Sequence, residues 1–136
     1  MIIFLDSSAL IFLIENKEYF SQRVQYALQR LREIAPDARF AYSQLARLET
    51  RIGPLRRGQE TILASYETFF NLKDVDCIEL TKKVMDLATA IRAFSGLKLA
   101  DAIHAACCLQ LGKDHVFLTG DKDFKRIEGL NVIRVA

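Results

Sequence analysis

Met1-Ile2-Ile3-Phe4-Leu5-Asp6-Ser7-Ser8 joins an apolar run to a carboxylate and two small turn-forming residues. A strand buried on both faces, as in a parallel sheet, reads as continuous hydrophobicity rather than alternation. In open α/β sheets ligands collect outside the carboxyl ends of such strands. Asp6 therefore stands where a ligand-binding side chain is expected. Three further acids, Glu49, Asp101 and Asp121, occupy comparable settings along the chain. Gathered at one rim, the four would make a cation site.

Four more short segments rich in β-branched or aromatic residues are predicted to be strands: Arg39 to Tyr42, Val75 to Ile78, Val116 to Thr119 and Val132 to Val135. Helical patterns fill the intervals. Ala9 to Glu15 is apolar all round, which fits a helix buried between the sheet and another surface. Phe20, Val24, Ala27, Leu28, Leu31 and Ile34 recur at spacings of three and four, closing near Pro36. Ser43 is placed to cap a helix running through Leu45, Leu48 and Ile52 to a break at Gly53-Pro54. Stripes at Ile62, Tyr66, Phe69 and Phe70, at Val84, Leu87, Ala88 and Ile91, and at Leu99, Ile103, Ala106 and Leu109 give three more helices. Strands alternating with helices predict a three-layer α/β/α fold around a central parallel sheet. Asp6 and Asp121 then follow strands one and four, Asp101 opens the helix before strand four, and Glu49 lies in the helix after strand two.

The chain has 136 residues, 51% hydrophobic and 26% charged, with two prolines and a formal charge of +2. That suits one domain over residues 1–136, which buries roughly two thirds of its unfolded surface and needs no metal or disulfide to fold. A bound metal would therefore be functional. So even a charge balance does not mark a nucleic-acid binder by itself. Three cysteines, an odd number with no C-x-x-C spacing, imply neither a disulfide framework nor a zinc knuckle. Cys77, Cys107 and Cys108 are expected to be small core residues in a reducing compartment, the cytoplasm. The N-terminal run lacks a basic leader, and no apolar run reaches the roughly 18 residues of a membrane span.

Each acid has a structural reading as well. Asp6 or Asp121 can cap the following helix, Asp101 can serve a helix dipole, and Glu49 can lie on a solvated face. Together they mean more. Asp101 sits in Leu99-Ala100-Asp101-Ala102-Ile103-His104-Ala105-Ala106, whose small residues let a helix press against the sheet and partly bury the acid. Neighbouring carboxylates repel and raise each other's pKa, a cost removed by a divalent cation. Oxygen-only ligands select Mg²⁺ or Mn²⁺. Such a site suits phosphodiester hydrolysis, in which the metal acidifies water and neutralises phosphate oxygens. The stretch Arg39 to Gly58 carries five arginines against Glu49 alone and offers phosphate contacts. His104, a single histidine on a core-facing helix, is expected to be packed or surface-exposed rather than catalytic, and Lys98 to be solvated.

Asp6-Ser7-Ser8-Ala9-Leu10, Ser43 with Glu49, Leu99 to Ala106, and Thr119-Gly120-Asp121-Lys122-Asp123-Phe124 resemble the four ordered motifs of a PIN domain. The short format, Pro54-Leu55-Arg56-Arg57-Gly58 and the Tyr66 to Phe70 segment are similar to VapC toxins of toxin–antitoxin pairs. The resemblance implies a Mg²⁺- or Mn²⁺-dependent endoribonuclease acting on RNA, usually a homodimer, silenced by a VapB-type antitoxin whose tail fills the active-site groove. By position it implies that Asp6 and Asp101 are the main metal ligands, that Asp121 completes the pocket, and that Glu49 binds metal or orients water. Asp123 matches an often acidic position, and Ser8 or Thr119 would bond the carboxylates. The competing expectations are a module that binds RNA or protein without cutting, and a small-molecule phosphatase. The latter lacks a second aspartate two positions after Asp6. The apolar Ala9 to Ile14 helix and the Tyr66 to Phe70 stripe fit either the core or a dimer face.

Overall fold

A computed structural model describes residues 1–15 and 18–135, leaving Asn16, Lys17 and Ala136 outside. Five strands, β1 (Ile2–Leu5), β2 (Arg39–Ser43), β3 (Val75–Ile78), β4 (His115–Thr119) and β5 (Val132–Arg134), form one sheet in the order β3-β2-β1-β4-β5. Every pairing is parallel, with Phe4 opposite Ala41 on one side and Phe117 on the other. The helices are α1 (Ser7–Ile14), α2 (Glu18–Ile34), α3 (Gln44–Arg56), α4 (Glu60–Phe70), α5 (Lys82–Ser95) and α6 (Leu99–Leu109), with a 3₁₀ turn at Lys122–Arg126. The fold is a three-layer α/β/α sandwich, as the alternation of patterns predicts.

Alternation along each strand divides the core between the two faces of the sheet. Phe4, Ala41 and Phe117 pack against α5, α6 and the segment Phe124 to Leu130, with the Phe4 and Phe117 rings stacked at 5.4 Å. Ile3, Leu5, Phe40, Tyr42 and Leu118 face Ala9, Leu10, Val24, Leu31, Tyr66 and Phe70. Tyr66, Phe70, Ala9 and Leu10 thus belong to the core rather than to a dimer face. On α6, Ala102, Ala105, Ala106, Cys107 and Cys108 are fully buried. Their small side chains let the helix lie close to the sheet, so Asp101 in its first turn is held at the sheet's rim.

Three expectations are corrected. Helix α3 does not stop at Gly53-Pro54 but runs to Arg56 with Pro54 inside it. A proline this near the C-terminus forfeits a single hydrogen bond, and its ring is buried. The reversal comes at Gly58, whose φ of +64° is left-handed backbone that favours glycine. Cys77 is exposed, because β3 is an edge strand; only Cys107 and Cys108 are core residues, and all three thiols are free. Arg39 opens β2, so it lies at the amino end of the sheet, opposite the end where Asp6 leaves β1. There it pairs with Asp76 at 2.8 Å. Among the described residues no helix is long and apolar enough to cross a membrane.

Candidate active site

The chain runs outward from β1 to β2 and β3, then returns to the other side of β1 to make β4. The gap between β1 and β4 is the topological switch point, where a parallel sheet leaves a crevice at its carboxyl edge. Asp6 leaves β1 there, and Thr119-Gly120-Asp121 leaves β4 beside it.

Asp6 is buried and its carboxylate is anchored on both oxygens. Oδ1 accepts from the Ala9 amide at 2.9 Å, which caps α1, and from the Ser8 hydroxyl at 2.7 Å; Oδ2 accepts from Thr119. The Ser8 hydroxyl also accepts from the Gly120 amide at 2.8 Å, and the Thr119 hydroxyl from the Asp121 amide at 2.9 Å. These bonds knit the ends of β1 and β4 together. Gly120 sits in a crowded spot: a Cβ there would meet the Phe12 ring at 2.6 Å and push it aside. Burial raises the Asp6 pKa, against the lowering effect of Thr119, Ala9 and Ser8. Asp121 caps the 3₁₀ turn, accepting from the Asp123 amide at 2.9 Å. Capping therefore holds for Asp6 and Asp121 alike, and it orients both carboxylates at the rim. Asp123 is half-buried beside them, and Lys98, preceding α6, is exposed.

Glu49 reaches the rim from α3. Its Oε1 accepts from Ser7 at 2.7 Å and from Nε2 of His104 at 2.6 Å. The bond to His104 is the main reason its pKa is lowered, overcoming partial burial. Sequence reasoning left His104 out of the site, yet it is 2% exposed with its other nitrogen, Nδ1, 2.7 Å from the Ser43 hydroxyl that caps α3. The one local signal is that His104 follows Asp101 by one helical turn; its meeting with Ser43 and Glu49 is set by the fold.

Asp101 differs from the other three. Among the described residues its carboxylate takes no hydrogen bond, and its pKa is raised first by burial and then by the charge of Asp121, against a lowering effect of His104 and with Asp6 and Glu49 adding to the rise. The four acids thus share one electrostatic neighbourhood. Among the described residues, no three His, Cys, Asp or Glu side chains stand close enough to hold an ion as they are. The donor set, four carboxylates and no thiolate, is of the kind that hard divalent cations select.

This fold with four acids at its switch point defines the class. The chain matches the PIN domain family over residues 3–130 and belongs to that family. It is similar to the crystal structure of VapBC2 from Rickettsia felis bound to a DNA fragment from their promoter, with a TM-score of 0.79 at 17% identity over 100% of both chains. It is also similar to a toxin-antitoxin complex from Klebsiella pneumoniae, with a TM-score of 0.71 at 24% identity over 98% of each chain. At these identities the likeness is one of fold. No curated protein matches the chain in sequence.

Proposed function

We propose that residues 1–136 act as one Mg²⁺- or Mn²⁺-dependent endoribonuclease, a VapC-type toxin working in the cytoplasm as a homodimer and held silent by a VapB-type antitoxin. The observation that carries the reading is Asp101: a half-buried carboxylate without a hydrogen-bond partner among the described residues, repelled by Asp121, Asp6 and Glu49. Repulsion of this kind persists in a fold when a cation relieves it in use. The family match and the two structural neighbours support the toxin reading.

Asp6 and Asp101 would hold the cation, with Asp121 and Glu49 completing the pocket. The bound ion would acidify an attacking water and neutralise the phosphate oxygens. The chain supplies the rest. Thr119, Ser8 and the Ala9 amide fix both oxygens of Asp6, so its orientation does not depend on substrate. Glu49 keeps Oε2 without a protein hydrogen bond among the described residues, leaving it able to accept a proton from water. Arg56 and Arg57 are exposed at the end of α3 and would meet the RNA backbone.

The test is cleavage of structured RNA by purified protein with Mg²⁺ or Mn²⁺. Asp6→Asn and Asp101→Asn are each expected to lower the rate by at least about 100-fold, the scale of losing a transition-state contact worth roughly 2.7 kcal/mol. Unchanged cleavage by the folded double variant would end the nuclease reading. The capping roles of Asp6 and Asp121 favour one alternative, a module that grips RNA without cutting. On that view the variants would bind RNA as well as the parent, which itself would release no product.

A further inference from the structure

We infer that His104 is a positioning residue for Glu49, and that Ser43 sets the tautomer that lets it do so. The inference deepens the nuclease reading and rests on it. Carboxylate oxygens only accept, so the 2.6 Å contact between Nε2 and Glu49 Oε1 requires the proton on Nε2. The Ser43 hydroxyl accepts from the Ala46 amide at 3.2 Å, leaving its own proton to donate to Nδ1 at 2.7 Å. A cap at the start of α3 thus presents the imidazole Nε2–H to a carboxylate farther along the same helix. Carboxylates that ligate metals are commonly oriented by hydrogen bonds donated from such outer side chains.

Two details turn this from packing into positioning. Among the described residues both donors to Glu49, Ser7 and His104, land on Oε1, so the carboxylate is pinned at one oxygen and open at the other. His104 also lies one turn after Asp101 on α6. One rigid helix therefore carries both Asp101 and the group that fixes the position of Glu49. Without His104, an otherwise half-exposed glutamate on α3 would sample several rotamers.

The experiment compares His104→Ala, His104→Gln and His104→Asn, alone and with Glu49→Ala, by RNA cleavage and by calorimetric Mn²⁺ titration of RNA-free protein. A glutamine amide reaches the place of Nε2 and can donate to Glu49; an asparagine amide reaches only that of Nδ1. His104→Ala and His104→Asn are expected to lose about 10–100-fold in kcat, with KM within about twofold, and to bind Mn²⁺ more weakly by a similar factor. His104→Gln should recover most of both losses. On the Glu49→Ala background, His104→Ala should cost nothing further. Equal losses for Gln and Asn, or additive losses in the double variant, would overturn the inference; circular-dichroism melts confirm that each compared variant is folded. If the parent cleaves RNA and His104→Ala cleaves it equally well, the positioning role falls and the nuclease reading stands. A parent that neither binds Mn²⁺ nor cleaves RNA overturns both.

Discussion

Asp101 and Glu49 respond to the same pocket in opposite senses, and stability should record it. Burial and neighbouring charge raise the Asp101 pKa, so the folded protein keeps that proton to higher pH than the unfolded chain does. Stability contributed by the protonated acid is therefore present at low pH and lost as pH rises from the ordinary carboxylate range through the folded value. Asp101→Asn, which removes the charge, should melt a few degrees higher than the parent at neutral pH without metal. The difference should close as pH falls below the folded value. For Glu49 the sign reverses. Its pKa is lowered, chiefly by His104, so its stabilisation is present above the ordinary value and disappears as pH falls through the folded one. Glu49→Gln should melt below the parent at neutral pH and coincide with it in acid. Paired melting curves of the two variants across pH check both signs, and two differences of the same sign would contradict the geometry. The placement of the four acids could be anticipated from the sequence, since Asp6 and Asp121 follow strands, Asp101 sits among small residues and Glu49 lies in the helix after a strand. His104 was not, because its partners, Ser43 and Glu49, lie 61 and 55 residues away and their meeting depends on where α3 and α6 converge.

Among the elements, α3 carries the heaviest duty, since its cap and its carboxylate both serve the rim. Ser43 caps α3 as Thr81 caps α5, each accepting from an amide three residues on at 3.2 Å. Thr81→Ala is expected to cost about 1 kcal/mol, the usual worth of such a cap. Ser43→Ala should cost roughly 1–3 kcal/mol more, because it also strips the buried Nδ1 of His104 of its partner. Urea denaturation of the two variants measures the difference; equal costs would show that Nδ1 finds another partner. The strands were readable almost to the residue, since parallel strands buried on both faces announce themselves as apolar runs. The end of α3 was not. Gly53-Pro54 is a strong local stop signal, and it is overridden because Pro54 falls in the last turn and its ring is buried in tertiary packing. Cys77 was misread for a related reason: composition does not say which strand will end at the sheet's edge.

At the scale of the molecule, the basic stretch from Arg39 to Gly58 separates into parts with different duties. Arg39 is bound to Asp76 at the far end of the sheet, and Arg47 and Arg51 both reach Glu67 at 3.4 Å. Arg56 and Arg57 remain exposed. RNA binding measured against salt concentration should therefore lose about 0.7 of slope for each of Arg56→Ala and Arg57→Ala that contacts a phosphate, and none for Arg39→Ala. Equal effects from all three would place the RNA on a different surface. The bonds that assemble the rim join distant parts of the sequence: Ser7 to Glu49 spans 42 residues, Ser43 to His104 spans 61, and Thr119 to Asp6 spans 113. A chain still emerging from the ribosome has Asp6 without its anchor until the strand ending at Thr119 has been made. On the nuclease reading, cutting ability therefore waits until Thr119 has been translated. A polypeptide cut short of that strand is then expected to leave the messenger that encodes it intact.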